Sequence, residues 1–274
     1  MSSAALMQAT LFGVTQPVRI ELRYPLRTRE DEWAIPENWP VPQSIPHGIA
    51  VKHLESVLSC WASRQDRPLF VADELAVRWL QQRPAVGIDP DLCVLDPPPP
   101  DVLELTSLKL WLPGNVRPSL CIEVVSDNHP YKDYGEVQER YAAFGAPELV
   151  VFDPRLIGPK SLGGPFAIQV WRTDGGVFER TYAGPGPAFS EALGAWVRVD
   201  DGLPQIASDR AGAQRWPTEA EFERMAAERE RAEKEHERTE KERERAEKER
   251  ERAQRIELER RLAALEQRDP SRRD

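Results

Sequence analysis

The sequence predicts a mixed α/β domain followed by a long, charged helix. Two kinds of segment indicate the domain. Short apolar runs between turn residues are typical of buried strands, and apolar residues spaced three or four apart are typical of helices. A third observation indicates the appendage, because the C-terminal segment is almost entirely Glu, Arg, Lys and Ala. The length of 274 residues suits one ordinary domain with such an extension.

The chain is expected to divide into five segments. The first is rich in proline and aromatic residues, and its Trp33 and Trp39 are expected to hold it against the core. The segments are an extended N-terminal arm (1–45), the α/β domain (46–207), a linker (208–216), a charged helix or weak coiled coil (217–268) and a disordered end (269–274).

The first half of the domain is predicted to contain one helix and several strands. "GIAVKHLESVLSCWASRQ" (48–65) has the apolar spacing of an amphipathic helix, and "LFVADELAVRWL" (69–80) indicates a strand or a hairpin. Three apolar runs then fit central strands: "DLCVLD" (91–96), "SLCIEVVS" (119–126) and "ELVVFD" (148–153).

The second half begins with a helix and ends with strands. "DYGEVQERYAAFGA" (133–146) has a helical apolar face, and Gly145 is a plausible stop. "AIQVWRT" (167–173) and "VFERTYAG" (177–184) indicate a hairpin, and "FSEALGAWVRVDDG" (189–202) closes the domain.

Composition excludes some classes of protein. The net charge of −9 argues against sequence-independent binding to a nucleic-acid backbone. No run of about twenty apolar residues predicts a membrane span, and the N-terminus does not have the pattern of a signal peptide. The three cysteines Cys60, Cys93 and Cys121 show no CxxC spacing, so neither a disulfide framework nor a zinc site is expected, and a cytoplasmic location is favoured.

The charged segment repeats every seven residues but lacks the two apolar seams of a coiled coil. Its Glu and Lys or Arg residues recur four apart, and each such ion pair stabilises a single helix by a few tenths of a kcal/mol. The predicted pairs include Glu230–Lys234, Glu237–Lys241, Glu244–Lys248 and Glu251–Arg255. A solvated single helix and a weak coiled coil anchored by its apolar end both remain open. In the second case this helix could join copies of the chain into a homo-oligomer.

An acidic residue in the middle of a buried strand raises the question of function. Glu123 lies in "SLCIEVVS", where alternation puts it on the same face as Cys121 and Val125. A buried carboxylate needs a partner or a metal ion. Asp91 opens the preceding strand, so the two acids converge at one sheet edge if the strands are neighbours, and Mg²⁺ prefers such oxygen ligands. Asp91 could equally serve a turn after Pro90, and a strand glutamate can pair with an arginine.

The order of these motifs resembles the Uma family of putative restriction endonucleases, within the PD-(D/E)XK nuclease superfamily. The resemblance rests on "IDPDLCVLD", "CIEVVSDN" and "KDYGEVQERYAAFGAPELVVFDP" and extends over about 46–268. It implies a restriction-endonuclease-like mixed β-sheet flanked by helices. It also implies that Asp91 and Glu123 are catalytic acids that hold Mg²⁺ or Mn²⁺, with DNA as substrate.

The resemblance includes one departure. The family pattern D-x-x-x-K-x-x-x-Y places a lysine on the helix, and here it runs from Asp133 to Tyr141 with Val137 in the lysine position. Valine cannot stabilise charge on a phosphoryl group. Lys132 is the candidate replacement as third catalytic residue, and Arg140 is a second cation one turn after Val137.

Two hypotheses follow for the function. The first is a metal-dependent DNA endonuclease in which Lys132 replaces the helix lysine. The second is a nuclease fold that no longer cuts and acts as a nucleic-acid-binding or protein-interaction module with a helical arm. No membrane partner is expected under either hypothesis.

Overall fold

A computed structural model of the protein describes residues 22–26 and 44–268. Most of the predicted N-terminal arm, including Trp33 and Trp39, and the predicted disordered end at 269–274 lie outside the described residues. The chain divides into two compact units, 1–219 and 220–274. This boundary lies three residues beyond the predicted start of the charged helix at 217.

The described strands belong to the first unit. They are β1 (Arg23–Pro25), β2 (Phe70–Asp73), β3 (Ala76–Arg78), β4 (Gly87–Ile88), β5 (Leu92–Leu95), β6 (Ser107–Lys109), β7 (Leu120–Val124), β8 (Glu148–Phe152), β9 (Ile168–Asp174), β10 (Val177–Gly184), β11 (Ala188–Ser190), β12 (Ala195–Asp200) and β13 (Leu203–Ala207). The α-helices are α1 (Ile45–Ala62), α2 (Val137–Phe144) and α3 (Glu219–Arg268).

The main sheet has seven strands in the order β1-β10-β9-β8-β7-β5-β2. The β7–β8 pair is parallel, whereas the pairs on either side of it are antiparallel. The three strands predicted to be central, β5, β7 and β8, are neighbours in the interior of this sheet. Two three-stranded sheets, β11-β12-β13 and β4-β3-β6, complete the unit. The mixed α/β fold class, with a mixed sheet flanked by helices and a long C-terminal helix, is therefore confirmed.

The stretch "LFVADELAVRWL" does not form a hairpin. β2 pairs with β5 in the main sheet, whereas β3 pairs with β4 and β6 in another. The extended backbone is interrupted between β2 and β3 at Glu74, which has a positive φ of 47°. An apolar run interrupted by a left-handed residue has therefore been divided between two sheets.

Each face of the main sheet carries its own apolar core. Residues Leu120, Ile122 and Val124 of β7 pack on one side, with α1 and the β11-β12-β13 sheet. Cys121 and Val125 pack on the other side, with α2 and the β4-β3-β6 sheet. This is the alternation expected of a central strand, and it fixes the side on which Glu123 lies.

The residues predicted as a linker, 208–216, make specific contacts within the first unit. Trp216 stacks on Trp61 of α1 with ring centroids 5.2 Å apart, and its backbone N–H donates to the carbonyl of Ile206 at 2.8 Å. Arg215 forms an isolated bridge with Ala207 at the end of β13. This segment therefore contributes to the packing of the domain.

The second unit is the helix α3, whose fifty residues correspond to a length of about 75 Å. Three of the predicted ion pairs are present, Glu230–Lys234, Glu237–Lys241 and Glu244–Lys248. Arg255 pairs with Glu259 rather than with the predicted Glu251. Leu258, Leu262 and Leu265 are exposed along its last turns. No helix of the described chain is both long and apolar enough to cross a membrane.

Candidate active site

Glu123 lies in the middle of β7 with only 1% of its surface exposed. Its alternation in the strand turns it towards α2. Tyr141 of α2 donates its hydroxyl hydrogen to Glu123 Oε1 across 2.6 Å. Burial, followed by the charge of Glu123, raises the pKa of Tyr141 well above its usual value. The tyrosine therefore stays protonated and fixes one oxygen of the buried carboxyl group.

Asp91 directly precedes β5 and lies beside the end of β7 that carries Glu123. The antiparallel pairing of Leu92 with Ile122 brings Asp91 beside Glu123 when it is continued by one residue. Asp91 Oδ2 accepts a hydrogen bond from the backbone N–H of Val124 at 2.7 Å. The structure thus brings the two acids named from the sequence together at one edge of the main sheet.

Lys132, the first residue of the helical turn that precedes α2, also reaches Glu123. Its Nζ lies 3.8 Å from Glu123 Oε2 and 4.0 Å from Asp133 Oδ1. The charge of Glu123 raises the pKa of Lys132, and burial opposes this only in part. The side chain is 39% exposed, so a protonated amine lies between the buried acids and the solvent.

A π-helical turn explains how Lys132 reaches this position. It spans Lys132–Glu136, and the N–H of Val137 donates to the carbonyl of Lys132, five residues earlier. Residues five apart in such a turn lie one above the other. Lys132 therefore lies one turn before Val137, on the same side of the helix, and can serve the location that the helix lysine serves in the Uma pattern.

Val137 itself is 2% exposed and packs in the apolar core under α2. Its side chain is part of the cluster that contains Tyr141 and Phe144. The second alternative cation, Arg140, donates to the carbonyl of Gly87 at 3.3 Å. Of the two cations considered from the sequence, Lys132 is the one that forms an ion pair with Glu123.

The buried acids strongly affect one another. Burial raises the pKa of Glu123 to about 7; Lys132 lowers it in part, and the charge of Asp91 raises it further. Burial, and then the charge of Glu123, also raises the pKa of Asp133 well above its usual range. In the absence of a further cation, this cluster retains protons that exposed carboxyl groups would lose near neutral pH.

The residues present fit a hard divalent cation. Asp133 Oδ1 is buried and has no hydrogen-bond partner within the described parts of the chain. Among the ion pairs of the described residues, Glu123 Oε2 takes part in one, with Lys132 Nζ at 3.8 Å. No group of three or more His, Cys, Asp or Glu side chains in 22–26 and 44–268 has the arrangement of a metal centre. Mg²⁺ commonly takes only one or two carboxylates and completes its coordination with water and substrate. Asp91 and Glu123 are the pair that could hold it.

Three contributors to this site were not assigned a role from the sequence. They are the imidazole of His47, the carboxyl group of Asp133 and the hydroxyl of Tyr141. His47, in the first turn of α1, places Nε2 3.0 Å from Asp91 Oδ2. Burial lowers the pKa of His47, but the hydrogen bond to Asp91 and its charge outweigh burial, so the pKa is raised. A histidine in the first turn of α1, directly after Pro46, was the available signal in the sequence.

Comparison with known proteins agrees with the order of motifs. The model of the Uma2 family, described as "Putative restriction endonuclease", matches residues 22–157. The chain is also similar to the crystal structure of a putative nuclease belonging to DUF820 from Anabaena variabilis ATCC 29413, with 16% identity and a TM-score of 0.37. That similarity covers 55% of this chain and 73% of the other. None of the curated proteins compared with the chain matches it.

The matched segment contains β2 to β8, α1 and α2, and therefore every residue of the candidate site described above. It ends before β9, so β9 to β13 and α3 lie beyond it. Residues 22–157 of this chain belong to the Uma2 family of putative restriction endonucleases.

Proposed function

We propose that the protein is a metal-dependent DNA endonuclease of the PD-(D/E)XK type in which Lys132 replaces the helix lysine. Membership of the Uma2 family supports a nuclease-type function and a nucleic-acid substrate. The observation that carries the finer proposal is the 3.8 Å separation between Lys132 Nζ and Glu123 Oε2, at the strand end that Asp91 also faces. This arrangement supplies two acids and one cation at a single edge.

Each residue has a separate task in this proposal. Asp91 and Glu123 would hold Mg²⁺ or Mn²⁺, which when bound stabilises charge on a phosphoryl oxygen and makes a water molecule more acidic. Tyr141 and the N–H of Val124 hold the two carboxyl groups in orientation. Lys132 remains protonated beside Glu123 and donates hydrogen bonds to the negatively charged phosphate. It therefore stabilises charge and does not act as a general base.

A second candidate function is supported by one observation. Val137 is a buried apolar residue where the family pattern has its lysine. A nuclease fold with that lysine lost could bind nucleic acid or protein without cutting. The two candidates differ in whether Lys132 takes over the lost function.

The deciding experiment is nicking of supercoiled plasmid DNA with Mg²⁺, with Mn²⁺ and with EDTA. We expect cutting by the wild type with either metal and none with EDTA. Asp91→Ala and Lys132→Ala should each reduce the rate by about 100-fold or more, since each removes a group acting on the transferring phosphoryl group. Lys160→Ala is the matched control, because Lys160 is an exposed lysine outside the site.

The variants must remain folded for the comparison to count, which circular dichroism would establish. If the wild type cuts and Lys132→Ala cuts equally well, the assignment of Lys132 is wrong. If the folded wild type cuts no plasmid, linear or single-stranded DNA with either metal, the binding-module function is favoured instead.

A further inference from the structure

The imidazole of His47 is a buried polar group beside the acids that the proposed mechanism does not use. His47 lies in the first turn of α1, and its residue is 6% exposed. The hydroxyl of Ser44 caps this helix and accepts from the backbone N–H of His47 at 3.5 Å. The start of α1 is therefore held in place, and the imidazole has little freedom to move.

The contacts of the imidazole define its orientation. Nε2 lies 3.0 Å from Asp91 Oδ2, and a carboxylate accepts hydrogen bonds, so Nε2 is the nitrogen that carries the hydrogen. Nδ1 is buried and has no hydrogen-bond partner in the described part of the chain. A buried polar atom without a partner is unfavourable. An apolar side chain would fill this position without that cost if packing were its only purpose.

Two donors hold the same oxygen of Asp91. The N–H of Val124 on β7 and Nε2 of His47 on α1 both reach Oδ2, at 2.7 and 3.0 Å. They come from elements on different layers of the fold, so together they fix both the rotation and the tilt of the carboxyl group. Neither donor uses Oδ1, which is left as an oxygen available to a cation.

We propose that His47 is a positioning residue that orients the Asp91 carboxylate for binding a divalent cation at Oδ1. This inference rests on the proposed function and adds a residue to it. His47 acts through Asp91 and touches neither the metal nor the substrate. Groups that orient metal ligands in this way commonly contribute a factor of about 10 to 100 in metal affinity or activity.

The test compares two substitutions of His47 and one control. His47→Leu removes the donor and keeps the position apolar, whereas His47→Gln offers an amide N–H to Asp91. His53→Leu is the matched control, because His53 also lies on α1 and its Nε2 is buried without a partner within the described ranges. All variants are full-length chains whose melting temperatures are measured first without metal.

Mn²⁺ binding is measured directly by electron paramagnetic resonance, and plasmid nicking is measured against Mn²⁺ concentration. We expect His47→Leu to weaken Mn²⁺ binding about 10- to 100-fold and to move half-maximal nicking to correspondingly higher Mn²⁺. The rate at saturating Mn²⁺ should change much less, because Asp91 itself remains. His47→Gln should restore most of the affinity, and His53→Leu should match the wild type.

The outcomes separate this inference from the proposed function. If the wild type binds Mn²⁺ and cuts DNA while His47→Leu binds equally well, the role of His47 is wrong and the nuclease stands. The same conclusion follows if His47→Gln is as weak as His47→Leu. If the wild type neither binds Mn²⁺ nor cuts, both proposals fall. Should His47→Leu melt far below the wild type, His47→Asn takes its place, since its amide is too short to reach Asp91, and the same weakening is expected.

Discussion

Replacing Glu123 by glutamine should make the metal-free protein more stable at alkaline pH while abolishing cutting. Burial raises the pKa of Glu123 to about 7 from 4.5. The folded protein therefore binds a proton that the unfolded chain releases in this interval. The contribution of Glu123 to the unfolding free energy is therefore fully present below about pH 4.5 and is lost as the pH rises towards 7. Above pH 7 the unfolding free energy stays lowered by this amount.

The magnitude follows from the shift. A difference of one pKa unit corresponds to about 1.4 kcal/mol, so ionising Glu123 in the fold costs about 3 kcal/mol by pH 8. Glutamine has nearly the same shape, can accept from the Tyr141 hydroxyl and does not ionise. Glu123→Gln should thus gain about 3 kcal/mol over the wild type at pH 8 and almost nothing at pH 4.

Urea unfolding in EDTA between pH 4 and 8.5 would measure this gain. Tryptophan fluorescence is the appropriate signal, because all eight tryptophans of the sequence precede α3 and the charged helix contributes none of the signal. Loss of plasmid nicking is measured in parallel with Mg²⁺. Together the two results would show that the buried charge is kept for activity at the expense of stability.

The matched control is the second buried glutamate, Glu148, on the neighbouring strand β8. Its carboxylate accepts from Arg172 Nε and from the N–H of Glu191, both at 2.9 Å, and from the hydroxyl of Ser190. Glu148→Gln should therefore lose about 1–3 kcal/mol at pH 8, the opposite sign. If Glu123→Gln were also less stable at pH 8, with a difference from the wild type that does not vary with pH, the explanation by buried charge would be refuted.

Two further predictions concern the position of the lysine and the boundary of the domain. In a Lys132→Ala background, Val137→Lys should restore metal-dependent nicking to at least a tenth of the wild-type rate, and it should lower the unfolding free energy by about 1–3 kcal/mol because the new amine replaces a buried apolar group. A folded double variant without any nicking would contradict the idea that lysines at 132 and 137 place their amines at the same point of the site. Truncation after Glu219 should leave the melting temperature within about 2 °C of the full chain, whereas truncation after Arg215 should lower it by several degrees because it removes Trp216 from its stack on Trp61. Equal melting temperatures of the two truncated chains in differential scanning calorimetry would contradict a stabilising role of Trp216.

The central strands could be predicted because their sequences carry the physical constraints of a buried sheet. Runs such as "SLCIEVVS" are short, apolar and bounded by turn residues, and the two-residue alternation gave the side on which Glu123 lies. Asp91 followed from the position of the turn before β5. The division of "LFVADELAVRWL" between two sheets was missed, because a run with one left-handed residue has the same apolar pattern as a hairpin.

The cation and the orienting groups were harder to predict. Lys132 could be named but not located, since a π-helical turn changes the phase of the following helix without leaving a mark in the apolar spacing. The approach of His47 to Asp91 depends on how α1 packs across the sheet, which local sequence does not determine. Trp216 was assigned to a linker because its partner, Trp61, lies far away in the chain.

The π-helical turn makes the site depend on the number of residues in one short segment as well as on their identities. Removing one residue of the turn, for example Gly135, would leave Lys132 four residues before Val137 in ordinary α-helical geometry. Residues four apart also lie on one side of an α-helix, so the amine of Lys132 would still face Glu123. Removing Tyr134 as well would leave a spacing of three and rotate Lys132 by about 100° around the helix axis, away from Glu123, although every charged residue of the site was still present. Two chains of this family could thus have all the same charged residues and still differ in whether the lysine lies beside the acids.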